Sequence, residues 1–211
     1  MSRITAAVVG ATGLVGGFVL RRLLDDPEVE RVIAPTRRPL SAHPKLSNPA
    51  FDGTLWPDFP RIDEAYGCLG TTRKQAGSDA AFRAVDLLLT RSFARAAKTA
   101  GARRFGLVSS VGADARSRYL YLRTKGEAEA AVSGSGFENV AIARPSFLIG
   151  ERGESRPAEK LAISAFHLLA PFLIGPLRRW RPVRAEAVAA SLVAALRGRV
   201  PGTLILESEA L

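Results

Sequence analysis

Three glycines at three-residue spacing, Gly10-x-x-Gly13-x-x-Gly16, break an apolar run that begins at Ile4 and resumes as Phe18-Val19-Leu20. Glycines in such a turn let the backbone bend sharply, bring N–H groups close to a phosphate and seat the following helix on the strand, while the helix N-terminus offers positive potential to an anion. The pattern predicts a strand, turn and helix that cradle the diphosphate of a dinucleotide. An ordinary strand-to-helix turn is its plain alternative. A second group is Ser109-Ser110 followed by Tyr121-x-x-x-Lys125. Four residues apart on a helix, Tyr121 and Lys125 share a face. An ammonium beside a phenol stabilises phenolate, so the tyrosine can give or take a proton, and a serine hydroxyl can orient a substrate oxygen. Together they suit hydride transfer at a carbonyl or alcohol. The competing reading is an exposed helix lysine next to a half-buried tyrosine.

Cofactor choice is read from the end of the second strand. An acidic residue there would bind the ribose hydroxyls of NAD(H), but this chain offers Pro35-Thr36-Arg37-Arg38. Two guanidiniums suit a 2′-phosphate, which favours NADP(H) and leaves NAD(H) open. Both arginines solvating a loop is the alternative. Other chemistry-bearing residues carry less. Cys68 lies in an apolar run with no nearby histidine and is expected in the core. Asp63-Glu64 are adjacent and so cannot form an opposed acid and base, and loop solvation is expected for both. His167, in an apolar helix-like stretch, is expected to be buried or to face substrate rather than to react.

The elements that must position these groups follow from periodicity. Ala6 to Val9, Val32 to Pro35, Ala65 to Leu69, Phe105 to Val108, Val140 to Ala143 and Thr203 to Leu206 read as strands. Val15 to Leu24, Asp79 to Thr99, Tyr119 to Val132 and Arg184 to Leu196 carry the apolar spacing of helices. The alternation predicts an α/β fold, a doubly wound parallel sheet of Rossmann type. Pro39 to Pro60, rich in turn signals, holds a short edge strand at best. Glu151 to Pro182 interrupts the rhythm with an apolar helix and the loop Arg178-Arg179-Trp180-Arg181. The reading is therefore one domain over 1–211, with 151–182 as an insertion on the substrate side and apolar residues from Phe147 to Leu177 shaping the pocket.

Composition narrows the class. With 211 residues, 47% of them hydrophobic, the chain has enough apolar material for a substantial core. One cysteine excludes an internal disulfide, and His43 and His167 alone make no zinc site, so a metal-free protein of a reducing cytoplasm is expected. No basic, apolar and cleavage segments open the chain, and its best apolar stretch is broken by His167 and Pro171, so no membrane span is expected. A net charge of +10 favours anionic partners. The arginines are scattered rather than gathered on one face, which argues against nucleic acid. A protein partner or a homo-oligomer stays open.

The glycine turn, Ser109-Ser110, Tyr121-x-x-x-Lys125 and Arg144-Pro145-Ser146 resemble an atypical short-chain dehydrogenase/reductase with an epimerase-like, NAD(P)-binding Rossmann fold. Cys68 to Arg73, Val108 to Asp114, Tyr121 to Glu127 and Arg144 to Arg152 are similar to bacterial relatives of the Tat-interacting-protein oxidoreductase group. The resemblance covers nearly the whole chain. It implies that Gly10, Thr12, Gly13, Leu14, Val15 and Gly16 hold the diphosphate and that Cys68, Leu69 and Gly70 border the adenosine. It implies also that Pro145 and Ser146 lie near the nicotinamide and that Lys125, besides acting with Tyr121, holds the nicotinamide ribose. Relatives often carry the active hydroxyl one residue beyond Ser110, where this chain has Val111, so Ser110 is the choice and Ser109 the reserve. Two functions remain: an NADP(H)-dependent oxidoreductase acting on a small carbonyl or alcohol, and a non-catalytic NADP(H) sensor that regulates a partner.

Overall fold

The computed structural model describes residues 3–149, 179–198 and 200–211. The expected pocket helix, its His167 and Arg178 lie outside those residues, as does most of the proposed insertion.

Seven parallel strands form the sheet: β1 Ile4–Val9, β2 Val29–Ile33, β3 Leu46–Ser47, β4 Glu64–Gly67, β5 Arg104–Val108, β6 Asn139–Arg144 and β9 Gly202–Glu207, ordered β3-β2-β1-β4-β5-β6-β9. The short strands β7 Leu148–Ile149 and β8 Val183–Arg184 pair in parallel with each other. Side chains alternate along β1, so Ala6 and Val8 face one layer while Ala7 and Val9 face the other. Both layers are buried, which explains why this strand reads as an uninterrupted apolar run.

The helices cover the two faces. α1 Leu14–Asp25 packs beside α6 Ala185–Arg197, burying Val15, Val19, Leu23, Val188, Leu192 and Leu196 against the sheet. On the other face α4 Thr90–Thr99 and α5 Leu120–Ser133 close over Phe93, Phe105, Val132 and Ile142. After the short α2 Arg73–Ala76, the stretch Asp79–Thr99, expected as one helix, contains a change of pitch: α3 Asp79–Arg83 leads into a π-helical segment, Ala84–Leu89, before α4 begins. Asp86 and Leu87 in this wider turn are buried on the same side as Phe82, Thr90 and Phe93, and Leu88 is exposed.

One expectation from the sequence holds with an addition, and another is overturned. The turn-rich segment Pro39 to Pro60 does hold only β3, yet it is anchored. Trp56 stacks on Phe51 at 3.9 Å between ring centroids and donates its indole N–H to Ser92 at 2.8 Å. Asp63 and Glu64 are not a solvated loop pair. Asp63 accepts the N–H of Thr5 at 2.9 Å, and Glu64 opens β4 with a fully buried side chain. Glu64 accepts from the Tyr66 hydroxyl at 2.8 Å and pairs with Arg104 at 3.0 Å, and Arg197 stands 3.8 Å away. Sequence patterning missed this because the partners come from β5 and α6. Burial, together with the Glu64 charge, holds the Tyr66 phenol well above its ordinary range, so it serves as a donor.

Removing one member of a buried ion pair strands the other. Arg104→Met is expected to lower unfolding free energy by about 3 kcal/mol. Urea denaturation checks this, and a loss below about 1 kcal/mol would show that the cluster does not brace the sheet.

Candidate active site

The strand order turns at β1, with β2 on one side and β4 on the other, so a crevice opens at the carboxyl ends of β1 and β4. Gly10 ends β1 with φ +78°, and a Cβ there would stand 2.3 Å from the carbonyl oxygen of Cys68. A Cβ on Gly16 would stand 2.1 Å from the Gly10 carbonyl oxygen. Only hydrogen at both positions permits this backbone-on-backbone packing. Gly13 caps α1 with no side-chain hydrogen bond, and no acidic residue occupies the first turn. Thr12 and Gly13 are exposed beside it. The amino end of α1 is thus open to an anion, and its glycines make a cradle that side chains would fill, so the residues present fit a dinucleotide diphosphate.

At the end of β2, Thr36 donates its hydroxyl to the Arg38 carbonyl at 2.6 Å. Asn48 donates to the Thr36 hydroxyl at 2.8 Å and to the Ala34 carbonyl, and accepts the Leu40 N–H at 2.8 Å. This staple, unforeseen in the sequence, presents Arg37 and Arg38 as exposed guanidiniums at the carboxyl end of β2. Cys68, Leu69 and Gly70 follow β4, and Cys68 lies just past the strand rather than within it. Cys68 is half-buried, packed against the edge of the core rather than within it, and desolvation pushes its thiol up to about 12, which fits a packing role.

Ser109 and Ser110 follow β5, and the structure separates them. Ser109 donates its hydroxyl to Glu129, which Arg144 grips through two contacts, at 3.0 and 2.7 Å. Arg144 reaches on to Glu207 at 2.9 Å. The Glu129 and Glu207 carboxylates raise the Arg144 pKa further, keeping it a cation. Among the described residues, the Ser110 hydroxyl makes only a long contact, 3.4 Å, with the Val111 carbonyl. The Val111 N–H donates to the Pro145 carbonyl at 2.9 Å, tying the serine loop to the end of β6. Ser146 donates its hydroxyl to the Arg181 carbonyl and its backbone N–H to the Ser208 hydroxyl oxygen at 3.2 Å.

On α5, Tyr121 is 39% exposed and its ring stacks on Phe82 of α3 at 5.8 Å. One turn on, Lys125 is buried, its Nζ 2.7 Å from Asp86 Oδ1. The other Asp86 oxygen accepts the Thr71 N–H at 2.9 Å. Gly126 lets α5 lie against the loop before it, since a Cβ there would stand 2.2 Å from the Ala115 nitrogen. Asp86 escaped the sequence reading, although a carboxylate inside Val85-Asp86-Leu87-Leu88-Leu89 is a visible anomaly.

A glycine-lined crevice at the switch point of a doubly wound parallel sheet defines a dinucleotide-binding Rossmann protein. Residues 6–198 match the NAD dependent epimerase/dehydratase family, and the chain belongs to that family of NAD(P)-dependent oxidoreductases. It is 35% identical over 209 residues to the protein fmp52, mitochondrial, of Aspergillus niger, spanning 92% of this chain and 89% of the relative. It is 36% identical over 169 residues to the protein HTATIP2 of Rattus norvegicus, spanning 75% of this chain and 69% of the relative. Among solved structures, MoeE5 in complex with UDP-glucose and NAD shares the fold with a TM-score of 0.72 and 19% identity, over 96% of this chain and 75% of that one. Among the described residues, no helix is long and apolar enough to cross a membrane.

Gly16→Ala drives a methyl into the Gly10 carbonyl. It is expected to weaken dinucleotide binding at least about tenfold and stability by about 1–3 kcal/mol, read by fluorescence titration and thermal unfolding. At pH 8 the native Cys68 thiol should react with iodoacetamide about 1,000-fold more slowly than the unfolded chain, because so little thiolate exists with a pKa of about 12. Labelling of the native protein at the unfolded rate would contradict that burial.

Proposed function

We propose that this protein is an NADP(H)-dependent oxidoreductase that reversibly reduces a small carbonyl compound, with Tyr121, Lys125 and Ser110 as its catalytic residues. The observation that carries the reading is the division of labour around α5. Ser109 is committed to Glu129 while, among the described residues, the Ser110 hydroxyl has only its long contact with the Val111 carbonyl, and Lys125 is buried one turn from the exposed Tyr121. Ser110 would orient the substrate oxygen, and Tyr121 would pass the proton to or from it. Lys125 would favour the phenolate electrostatically and hold the nicotinamide ribose.

Gly10, Thr12, Gly13, Leu14, Val15 and Gly16 would hold the diphosphate, and Cys68, Leu69 and Gly70 would border the adenosine. Pro145 and Ser146 would close the nicotinamide end. Arg37 and Arg38, exposed past β2, support NADP(H) over NAD(H) through charge-assisted contacts with a 2′-phosphate. When bound, the dinucleotide supplies or takes the hydride. A cytoplasmic setting belongs to the same proposal. The mitochondrial label of the fungal relatives is said of those proteins.

Titration with NADPH and, in parallel, NADH tests the cofactor reading through nicotinamide fluorescence. NADPH is expected to bind at least about tenfold more tightly, and Arg37→Ala with Arg38→Ala to erase most of that preference. Equal affinities would remove the 2′-phosphate assignment. Tyr121→Phe is expected to keep NADPH affinity within about twofold and to lower turnover of a carbonyl substrate at least about 100-fold. Unchanged turnover would rule out Tyr121 as the proton donor. A wild type that binds NADPH, turns over nothing and retains a partner through Tyr121→Phe would turn the reading to a sensor.

A further inference from the structure

Asp86 joins three parts of the chain that the proposed function treats separately. It sits on the π-helical segment, fully buried, with Oδ1 2.7 Å from Lys125 Nζ on α5. Its Oδ2 accepts the N–H of Thr71, directly after the Cys68-Leu69-Gly70 edge of β4, at 2.9 Å. A Cβ placed on Gly70 would stand 3.7 Å from Lys125 Nζ and 3.8 Å from Asp86 Oδ1, so the ion pair borders the crevice where Gly70 leaves it bare.

The acidic residues of α5 itself are committed elsewhere. Glu127 pairs with Arg83 at 2.8 Å and lies 3.9 Å from Arg123. Glu129 is held by Ser109 and Arg144. A buried ammonium needs a counter-charge of fixed geometry, and Asp86 supplies it.

Building on the dinucleotide reading of this crevice, we propose that Asp86 is the positioning residue of the site. It locks the Lys125 ammonium and the Gly70–Thr71 turn to each other, so that the dinucleotide meets a lysine already in place. The carboxylate sits within the π-helical segment, on the buried side of a helix whose outer face is polar.

A double-mutant cycle on NADPH binding tests the proposal, with Asp86→Asn, Lys125→Met and the double variant each titrated by nicotinamide fluorescence. Each single change is expected to weaken binding about tenfold, and the double variant to be within about threefold of Lys125→Met, since both remove one contact. Losses that multiply, or an Asp86→Asn protein within about twofold of wild type, overturn the inference. Should Asp86→Asn fail to fold, Asp86→Glu keeps the charge while moving it. Its expected loss of about threefold or more must then vanish in the Lys125→Met background.

A wild type that binds neither NADPH nor NADH overturns the proposed function instead, and Asp86 is then judged on Lys125 itself. The chain has five lysines, so nitrogen-15 NMR of their side-chain ammonium groups at low temperature is readily assigned. One exchange-protected signal, absent in Lys125→Met and lost in Asp86→Asn, supports the lock. Persistence of that signal in Asp86→Asn overturns it.

Discussion

The backbone of Gly10 lies directly against the Cys68 carbonyl on one side and beneath Gly16 on the other, and the carboxyl edge of the sheet is arranged around that double contact. It brings α1 so close to β1 and β4 that no side chain fits between them, which aims the uncapped first turn of the helix into the crevice. The same contact fixes where Leu69, Gly70 and Thr71 emerge from β4, and through Thr71 it sets the position of Asp86 and Lys125. A packing constraint with no chemistry of its own therefore underlies the placement of groups that have it.

Charge is buried at both edges of the sheet, but to different ends. At the amino edge, Glu64 draws Tyr66, Arg104 and Arg197 together across β4, β5 and α6, with Asp26 joining the group through Arg197. That cluster braces strands and helix where no proposed site residue lies. At the carboxyl edge, two acidic residues on separate elements divide the work: Glu129 takes Ser109 and Arg144, and Asp86 takes Lys125. Each buried ion has a partner from another element, as the cost of burying an isolated charge demands.

Much of this architecture is legible in the chain itself. Apolar runs located the six longer strands, most plainly the inner β1, β4, β5 and β6, whose burial on both faces leaves a signal that does not depend on partners. The glycine spacing located the crevice, because a turn this tight tolerates no other residue. What stayed hidden was pairing between distant elements. Glu64 reads as a loop acid until Arg104 and Arg197 are brought to it, and nothing local tells Ser109 from Ser110 until Glu129 claims one of them. Asp86 stayed hidden in the same way: a helical projection sets it on the side of Phe82 and Phe93, but only Lys125 of α5, facing the wider turn, accounts for a carboxylate there.

That wider turn has a consequence for how this region can vary in length. A residue gained or lost between Asp79 and Thr99 advances everything beyond it by about 100° around the helix axis. Phe93, Ala94 and Ala97, which must face the sheet, would then be out of step with Asp86, which must face Lys125. The segment thus behaves as a ruler between the core and the crevice. Its amino-acid identities can drift at exposed positions such as Leu88, Arg91 and Arg95, while the number of residues between Asp86 and Phe93 is held constant by the geometry at its two ends.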